Sequence, residues 1–120
     1  MPSKDPIQRF ADIVDNIILI EEFTRGMDLN AYLEDPKTRN ATERCMERIS
    51  EAAKKLGEVA EQLCPTVPWP SVRALGNFLR HDYDRVDPGR VWVMIEDDLG
   101  PLKAASQRAL DRLRQAGEEQ

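Results

Sequence analysis

The sequence is poor in the residues that bind metals or form disulfides. His81 is the one histidine in 120 residues, and the two cysteines, Cys45 and Cys64, do not form a C-x-x-C pair. Zinc sites and disulfide frameworks need several closely spaced ligands or cysteines. We therefore expect no metal site and no cofactor, and interpret both cysteines as small residues in the packing of helices.

The sequence also lacks long apolar runs and an excess of positive charge. No apolar stretch is long enough to cross a membrane, and the opening "MPSKDPIQRF" has no apolar core of a signal peptide. These observations predict a cytoplasmic protein without membrane contact. The net charge of −5 argues against non-specific coating of nucleic acid. Any contact with nucleic acid must be local.

What is present is helical spacing of apolar residues. The chain is 41% hydrophobic and 32% charged, which is typical of one globular domain over 1–120. No strand-length segment alternates with period two. The spacing predicts a helix over 7–23, a short turn of helix in "MDLNAYLED" (27–35), and further helices from Pro36 on to Leu63, over 69–80 and over 91–113.

Local signals set the ends of these predicted helices. Asp5, Asp28 and Asp87 stand where N-caps belong, and Asp84 is a further candidate cap for the last helix. The three prolines of "CPTVPWP" interrupt the chain before residue 69, and Gly100-Pro101 predicts a kink. The expected fold is an all-α, up-and-down four-helix bundle with a short extra helix, a core over about 7–113 and a frayed tail.

The segment "SVRALGNFLRHDY" carries the candidate site. On a helix, Val72, Leu75, Phe78 and Leu79 fall on one side and are predicted to face the core. Arg73, Asn77, Arg80 and His81 fall on a polar arc of roughly 100° opposite. Gly76 and Ala74 beside this arc would allow a backbone or a phosphate to approach closely. The arc is either a site or an ordinary solvated face.

The same segment resembles the signature of the HepT-like toxins, a helical family of HEPN ribonucleases in which Arg-Asn-x-x-x-His-x-Tyr is typical. "GNFLRHDY" supplies Asn77, His81 and Tyr83 at the matching positions. The similarity extends over "DPKTRNATERCMERISEAAKKLGE", "CPTVPW" and "VDPGRVWVMIEDDLGPL", so it covers about residues 7–113. It implies a dimeric HEPN-like bundle.

One position departs from that signature. The arginine that the family places before asparagine is Gly76 in this sequence. Arg73, one turn earlier, and Arg80, beside the histidine, could each supply the guanidinium, and the sequence favours Arg73. The glycine also supports an alternative function: a catalytically weak or inactive HEPN module that binds a nucleotidyltransferase or RNA.

The resemblance implies the toxin of a type VII-like toxin–antitoxin pair, a metal-independent endoribonuclease. His81 would move a proton, Arg73 or Arg80 would stabilise a pentacovalent phosphorane, and Asn77 would orient the phosphate or the histidine. One histidine cannot be both acid and base, which favours a composite site in a homodimer. The implied partners are RNA and a minimal nucleotidyltransferase antitoxin that adds AMP to Tyr83.

Overall fold

The computed structural model describes residues 5–118, and of Tyr83 it describes the backbone alone. This part of the chain forms seven α-helices and one 3-10 turn at Tyr83–Arg85, without strands. The predicted all-α bundle is confirmed. The helices are α1 (Pro6–Thr24), α2 (Leu29–Leu33), α3 (Pro36–Leu56), α4 (Glu58–Leu63), α5 (Trp69–His81), α6 (Pro88–Asp97) and α7 (Leu99–Glu118).

Aspartate caps begin the helices as the sequence predicts. The carboxylates of Asp5, Asp28 and Asp87 accept backbone N–H bonds from residues 8, 31 and 89 at 3.1, 2.8 and 2.9 Å. Asp35 does the same for α3, where it also accepts from the Thr38 hydroxyl. Each cap satisfies a backbone donor that has no partner inside its helix. Asp84, the other candidate cap, lies within the 3-10 turn instead.

The prediction of one unbroken helix from Pro36 to Leu63 is wrong. α3 ends at Leu56, and Gly57 has φ +58° and ψ −142° before α4 begins. Glycine adopts positive φ without the steric cost that a Cβ imposes. Buried positions continue at Ala60 of α4, so the apolar spacing runs across the break and conceals it.

The predicted kink at Gly100-Pro101 is also misplaced. The break lies at Asp98, between α6 and α7, and Pro101 stands in the first turn of α7. A proline is tolerated there because the first backbone N–H groups of a helix have no partner within it. Pro101 therefore helps to begin a new helix.

The core lies between the four helices α1, α3, α5 and α7. α1 packs against α3 and α7, α3 packs also against α5, and α6 contacts α7 and the short α2. The largest fully buried side chains are Trp69, Tyr32, Phe10, Ile13, Ile17, Ile20, Met46 and Leu56. Among the described helices, none combines the length and apolar character needed to cross a bilayer. The site described next lies on the paired α3 and α5.

Candidate nucleic-acid site on helices α3 and α5

Helix α5 rests on α3 through a narrow face. Trp69, Gly76 and Leu79 are its buried residues, and the Trp69 indole anchors its first turn by donating to the Cys64 carbonyl at 2.9 Å. Phe78 was predicted to face the core but is 42% exposed. That prediction is wrong because α5 packs mainly on α3 and leaves the side carrying Phe78 uncovered.

Gly76 is the point of closest approach between these helices. Its N–H donates to Ser50 Oγ of α3 at 3.0 Å, and the Ser50 hydroxyl donates to the Arg73 carbonyl at 2.8 Å. A Cβ at position 76 would lie 2.6 Å from Ser50 Oγ and 2.8 Å from Ser50 Cβ. The neighbour that requires a glycine here is therefore helix α3.

Two cations converge on the amide oxygen of Asn77. Lys54 Nζ of α3 donates to Asn77 Oδ1 at 3.0 Å, and Arg80 Nη2 donates to the same atom at 3.3 Å. Glu47 is the nearest acidic partner of Arg80, with Oε1 3.9 Å from Nε, and it also approaches Arg44 at 3.7 Å. We call Lys54, Asn77 and Arg80 the cationic cluster.

Arg73 is bound at a different place, the junction of α3 and α4. Its guanidinium forms two hydrogen bonds with Glu61, at 2.7 and 2.8 Å, and donates to the carbonyls of Gly57 and Ala53. The hydrogen bonds from Arg73 lower the pKa of Glu61, and Glu61 in turn raises the pKa of Arg73. These contacts link α5 to the break at Gly57. The Ala53 carbonyl belongs to the last turn of α3, where carbonyls lack helical partners, and the Gly57 carbonyl also accepts from the Ala60 N–H at 3.2 Å.

His81 is the last residue of α5 and is exposed. It lies one turn beyond Asn77, the spacing that places two side chains on the same face of a helix. Within the described part of the chain, the imidazole has neither a hydrogen bond nor an ion pair, so it is accessible to a ligand. The chain then turns at Tyr83, whose side chain lies outside the described residues.

Sequence reasoning did not single out Lys54 or Glu47 as site residues. Both belong to a predicted helix that carries many charged residues, and their spacing does not show that their side chains face α5. The antiparallel pairing of α3 with α5, in which Glu47 meets Arg80 and Lys54 meets Asn77, decides the matter. An i,i+3 or i,i+4 rule applies within one helix and cannot find such pairs.

A cavity between the helices of the described structure is separate from this cluster. It has a volume of about 580 Å³ and is lined largely by apolar residues of α3, α5, α6 and α7, among them Ile49, Val72, Leu75, Met94 and Leu102. Its apolar lining does not suit a phosphate. Across residues 5–118, no three His, Cys, Asp or Glu side chains gather in a way that could hold a metal ion.

Comparisons with known proteins cover most of the chain. A family model described as "Ribonuclease HepT-like" matches residues 13–109. A protein of Thermococcus cleftensis named as a probable ribonuclease HepT is 37% identical over 92 residues, which are 77% of this chain and 84% of that protein.

Two proteins of Methanocaldococcus jannaschii named as candidate RNases are also similar. One is 35% identical over 95 residues, covering 79% of this chain and 78% of its own length. The other is 29% identical over 102 residues, covering 84% and 94%. No solved structure matches the chain significantly.

Proposed function

Because this chain belongs to the HepT-like ribonuclease family, we propose that it is a metal-independent endoribonuclease, acting in the cytoplasm as the toxin of a type VII-like toxin–antitoxin pair. The observation that carries the proposal is the exposed His81, one helical turn from an asparagine that two cations share. This surface offers a group for proton transfer next to groups that bind phosphate.

The reaction is attack of a ribose 2′-oxygen on the adjacent phosphorus. The 2′-O–P bond forms and the P–O5′ bond breaks, which leaves a 2′,3′-cyclic phosphate on one product and a 5′-hydroxyl on the other. A base accepts the 2′-hydroxyl proton, and an acid delivers a proton to the departing 5′-oxygen. His81 performs one of these transfers. Arg80 stabilises the charge on the phosphorane, and Asn77 orients the phosphate or the histidine.

Two observations favour Arg80 over Arg73 as the phosphate-binding arginine. Arg80 Nη2 lies 3.8 Å from the position that a Cβ of residue 76 would occupy, so its guanidinium folds back over Gly76. It thus stands beside the position where the family signature has arginine. The guanidinium of Arg73 is instead occupied by Glu61 and two backbone carbonyls. The sequence alone favours Arg73; the contacts favour Arg80.

A homodimer would supply the second proton-transfer group. Each chain has one histidine, and two copies placed around one RNA strand would bring two. Phe78 on α5 exposes apolar surface on the helix that carries His81, which supports an interface near the site. The apolar stripe of α1, by contrast, is mostly buried inside the bundle, with Ile18 and Phe23 left exposed.

The test is cleavage of total RNA by purified protein in EDTA, comparing wild type with His81→Ala. We expect wild type to release 2′,3′-cyclic phosphate ends and the variant to lose cleavage while keeping its helical signal and oligomeric state. Equal cleavage by both proteins would remove His81 from the mechanism. If folded, dimeric wild-type protein does not cleave RNA, the proposed endoribonuclease activity is refuted.

The two arginines give separable outcomes in the same assay. Arg80→Gln should lower kcat roughly 100- to 1,000-fold, by analogy with the loss of one donor to a developing oxyanion, with little change in Tm. Arg73→Gln should lower Tm while kcat at permissive temperature stays near wild type. The reverse pattern would return the phosphate-binding role to Arg73.

The proposed partner is a minimal nucleotidyltransferase antitoxin that adds AMP to Tyr83. The added phosphate would place negative charge close to Arg80 and His81 along the chain, where RNA phosphate is proposed to bind. Incubation of the purified pair with ATP should add the mass of one AMP group to wild type and none to Tyr83→Phe. Neutralisation of the toxin with Tyr83 unmodified would contradict this part of the proposal.

A non-catalytic binding module is the second candidate function, and Gly76 is the observation that favours it. The close contact with Ser50 leaves no room for the arginine of the family signature in this packing. Such a module would bind RNA or the nucleotidyltransferase without cutting RNA. It would also show no toxicity on expression, whereas the enzyme should be toxic in a manner that His81→Ala abolishes.

A further inference from the structure

Two positively charged side chains donate hydrogen bonds to the same uncharged amide group, that of Asn77. Lys54 Nζ and Arg80 Nη2 both donate to Asn77 Oδ1, at 3.0 and 3.3 Å, so the two cations are necessarily close to each other. An amide oxygen carries no net charge to offset their repulsion. Where two cations donate to one acceptor in a folded protein, the acceptor is ordinarily a carboxylate, whose negative charge offsets their repulsion.

Acidic compensation at this cluster is slight. Among residues 5–118, no carboxylate lies within 4 Å of Lys54 Nζ, and the one acidic contact of Arg80 is Glu47 at 3.9 Å from Nε. Glu47 is itself shared with Arg44. The chain is acidic overall, with a net charge of −5, so this local excess of positive charge is a specific feature of the α3–α5 surface.

The geometry suits an oxygen of an anionic group. A phosphate oxygen is a stronger acceptor than an amide oxygen for both an ammonium and a guanidinium. It could take the place of Asn77 Oδ1 and accept from both cations. Asn77 could then turn its amide N–H groups toward another phosphate oxygen.

The two cations are also held on a fixed frame. Lys54 belongs to α3 and Arg80 to α5, and the hydrogen bonds of Ser50 with Gly76 and Arg73 fix the spacing of these helices. Lys54 is partly buried, whereas Lys55, the next residue, is exposed and lies about 100° farther around the helix. The Lys54 side chain is thus directed to α5 by the packing.

We infer that Lys54 is a second phosphate-binding residue of this site, which grips one phosphodiester of a single RNA strand together with Arg80. The inference rests on the proposed function for its ligand, since it takes the bound strand to be RNA. It assigns to α3 a direct part in RNA binding.

The test measures binding without cleavage. A fluorescent single-stranded RNA with 2′-O-methyl groups throughout cannot undergo attack by its own ribose. Its Kd is measured at several salt concentrations for wild type, Lys54→Gln, Lys54→Arg and the matched control Lys55→Gln. Both glutamine variants lose one positive charge, from adjacent positions of the same helix.

Loss of one phosphate contact should reduce the slope of log affinity against log salt by about 0.7 for a single strand. We expect this reduction, with roughly tenfold weaker binding at low salt, for Lys54→Gln. Lys54→Arg should restore the slope, and Lys55→Gln should match wild type. A residue that merely supports Asn77 would not change the slope in this way.

Equal slopes for Lys54→Gln and wild type would overturn the inference, as would equal reductions for Lys54→Gln and Lys55→Gln or no binding by wild type. Failure of the proposed function gives a different result: wild type binds with a slope that depends on Lys54, yet total RNA stays intact in EDTA. If cleavage depends on His81 but the salt slope is the same for Lys54→Gln and wild type, the inference about Lys54 is overturned and the proposed function is not.

Discussion

Gly76→Ala is the smallest change that tests how closely α3 and α5 pack. The new Cβ would lie 2.6 Å from Ser50 Oγ and 2.8 Å from Ser50 Cβ. Ordinary contacts between carbon atoms are about 3.5–4.0 Å long, so both contacts are far too short. Rotation of the Ser50 hydroxyl can relieve the first contact. The second requires the helices to separate.

The expected magnitude follows from two opposing effects. Overpacking a close-packed contact costs about 1–3 kcal/mol, whereas replacing glycine by alanine inside a helix contributes about 1 kcal/mol of stability. Because the carbon–carbon contact cannot relax by side-chain rotation, we expect an overpacking cost in the upper part of that range, about 2–3 kcal/mol, and therefore a net loss of about 1–2 kcal/mol. With an unfolding entropy of about 2.1 cal/mol/K per residue, this corresponds to a Tm lower by roughly 4–8 °C.

Thermal and urea unfolding followed by circular dichroism measure this loss. Gly117→Ala is the matched control, because a Cβ there meets nothing within 4 Å and should leave Tm unchanged or slightly raised. Ser50→Gly combined with Gly76→Ala should be less destabilised than the sum of the single variants, by about 1 kcal/mol or more. A Gly76→Ala variant as stable as wild type would refute the close contact and, with it, the reason given for the absence of an arginine at position 76.

Further predictions concern the α3–α4 junction and the thiols. Glu61→Gln should lower the free energy of unfolding near neutral pH, because Arg73 lowers the pKa of Glu61 in the folded state. The difference between the variant and wild type should disappear as the pH falls below 4.5, the ordinary pKa of a glutamate, and unfolding curves at pH 7 and pH 3 measure it. A constant difference at both pH values would contradict the pairing. Burial raises the pKa of Cys45 and Cys64, so a thiol reagent should label neither in the native protein and both in urea, and rapid native labelling would be the contrary result.

Most of the secondary structure follows from local sequence signals. Asp5, Asp28 and Asp87 cap their helices as their positions predict, because capping involves a side chain and a backbone donor two or three residues away. The breaks at Gly57 and Asp98 were not predicted correctly. At Gly57 the apolar spacing continues across the break, and the side chain that donates to the carbonyls of Ala53 and Gly57, Arg73, comes from a different helix.

The candidate site, like the secondary structure, is only partly determined by local sequence. The sequence by itself determined that His81 and Asn77 share one face of a helix, since spacing within a helix fixes which side chains are neighbours. Their match to the HepT-like signature also lies in the sequence. The site residues and their roles stay predictions until the variants are measured.

Only the tertiary structure decided which other residues stand beside them. The pairing of α3 with α5 brings Lys54 to Asn77, directs Arg73 to Glu61, and leaves Arg80 folded over Gly76. The first two pairs are 23 and 12 residues apart in the chain, whereas Arg80 reaches back within its own helix. Long side chains such as lysine and arginine can point in many directions from one backbone position. The neighbouring helix, through its packing distance and the charges it presents, selects one of them.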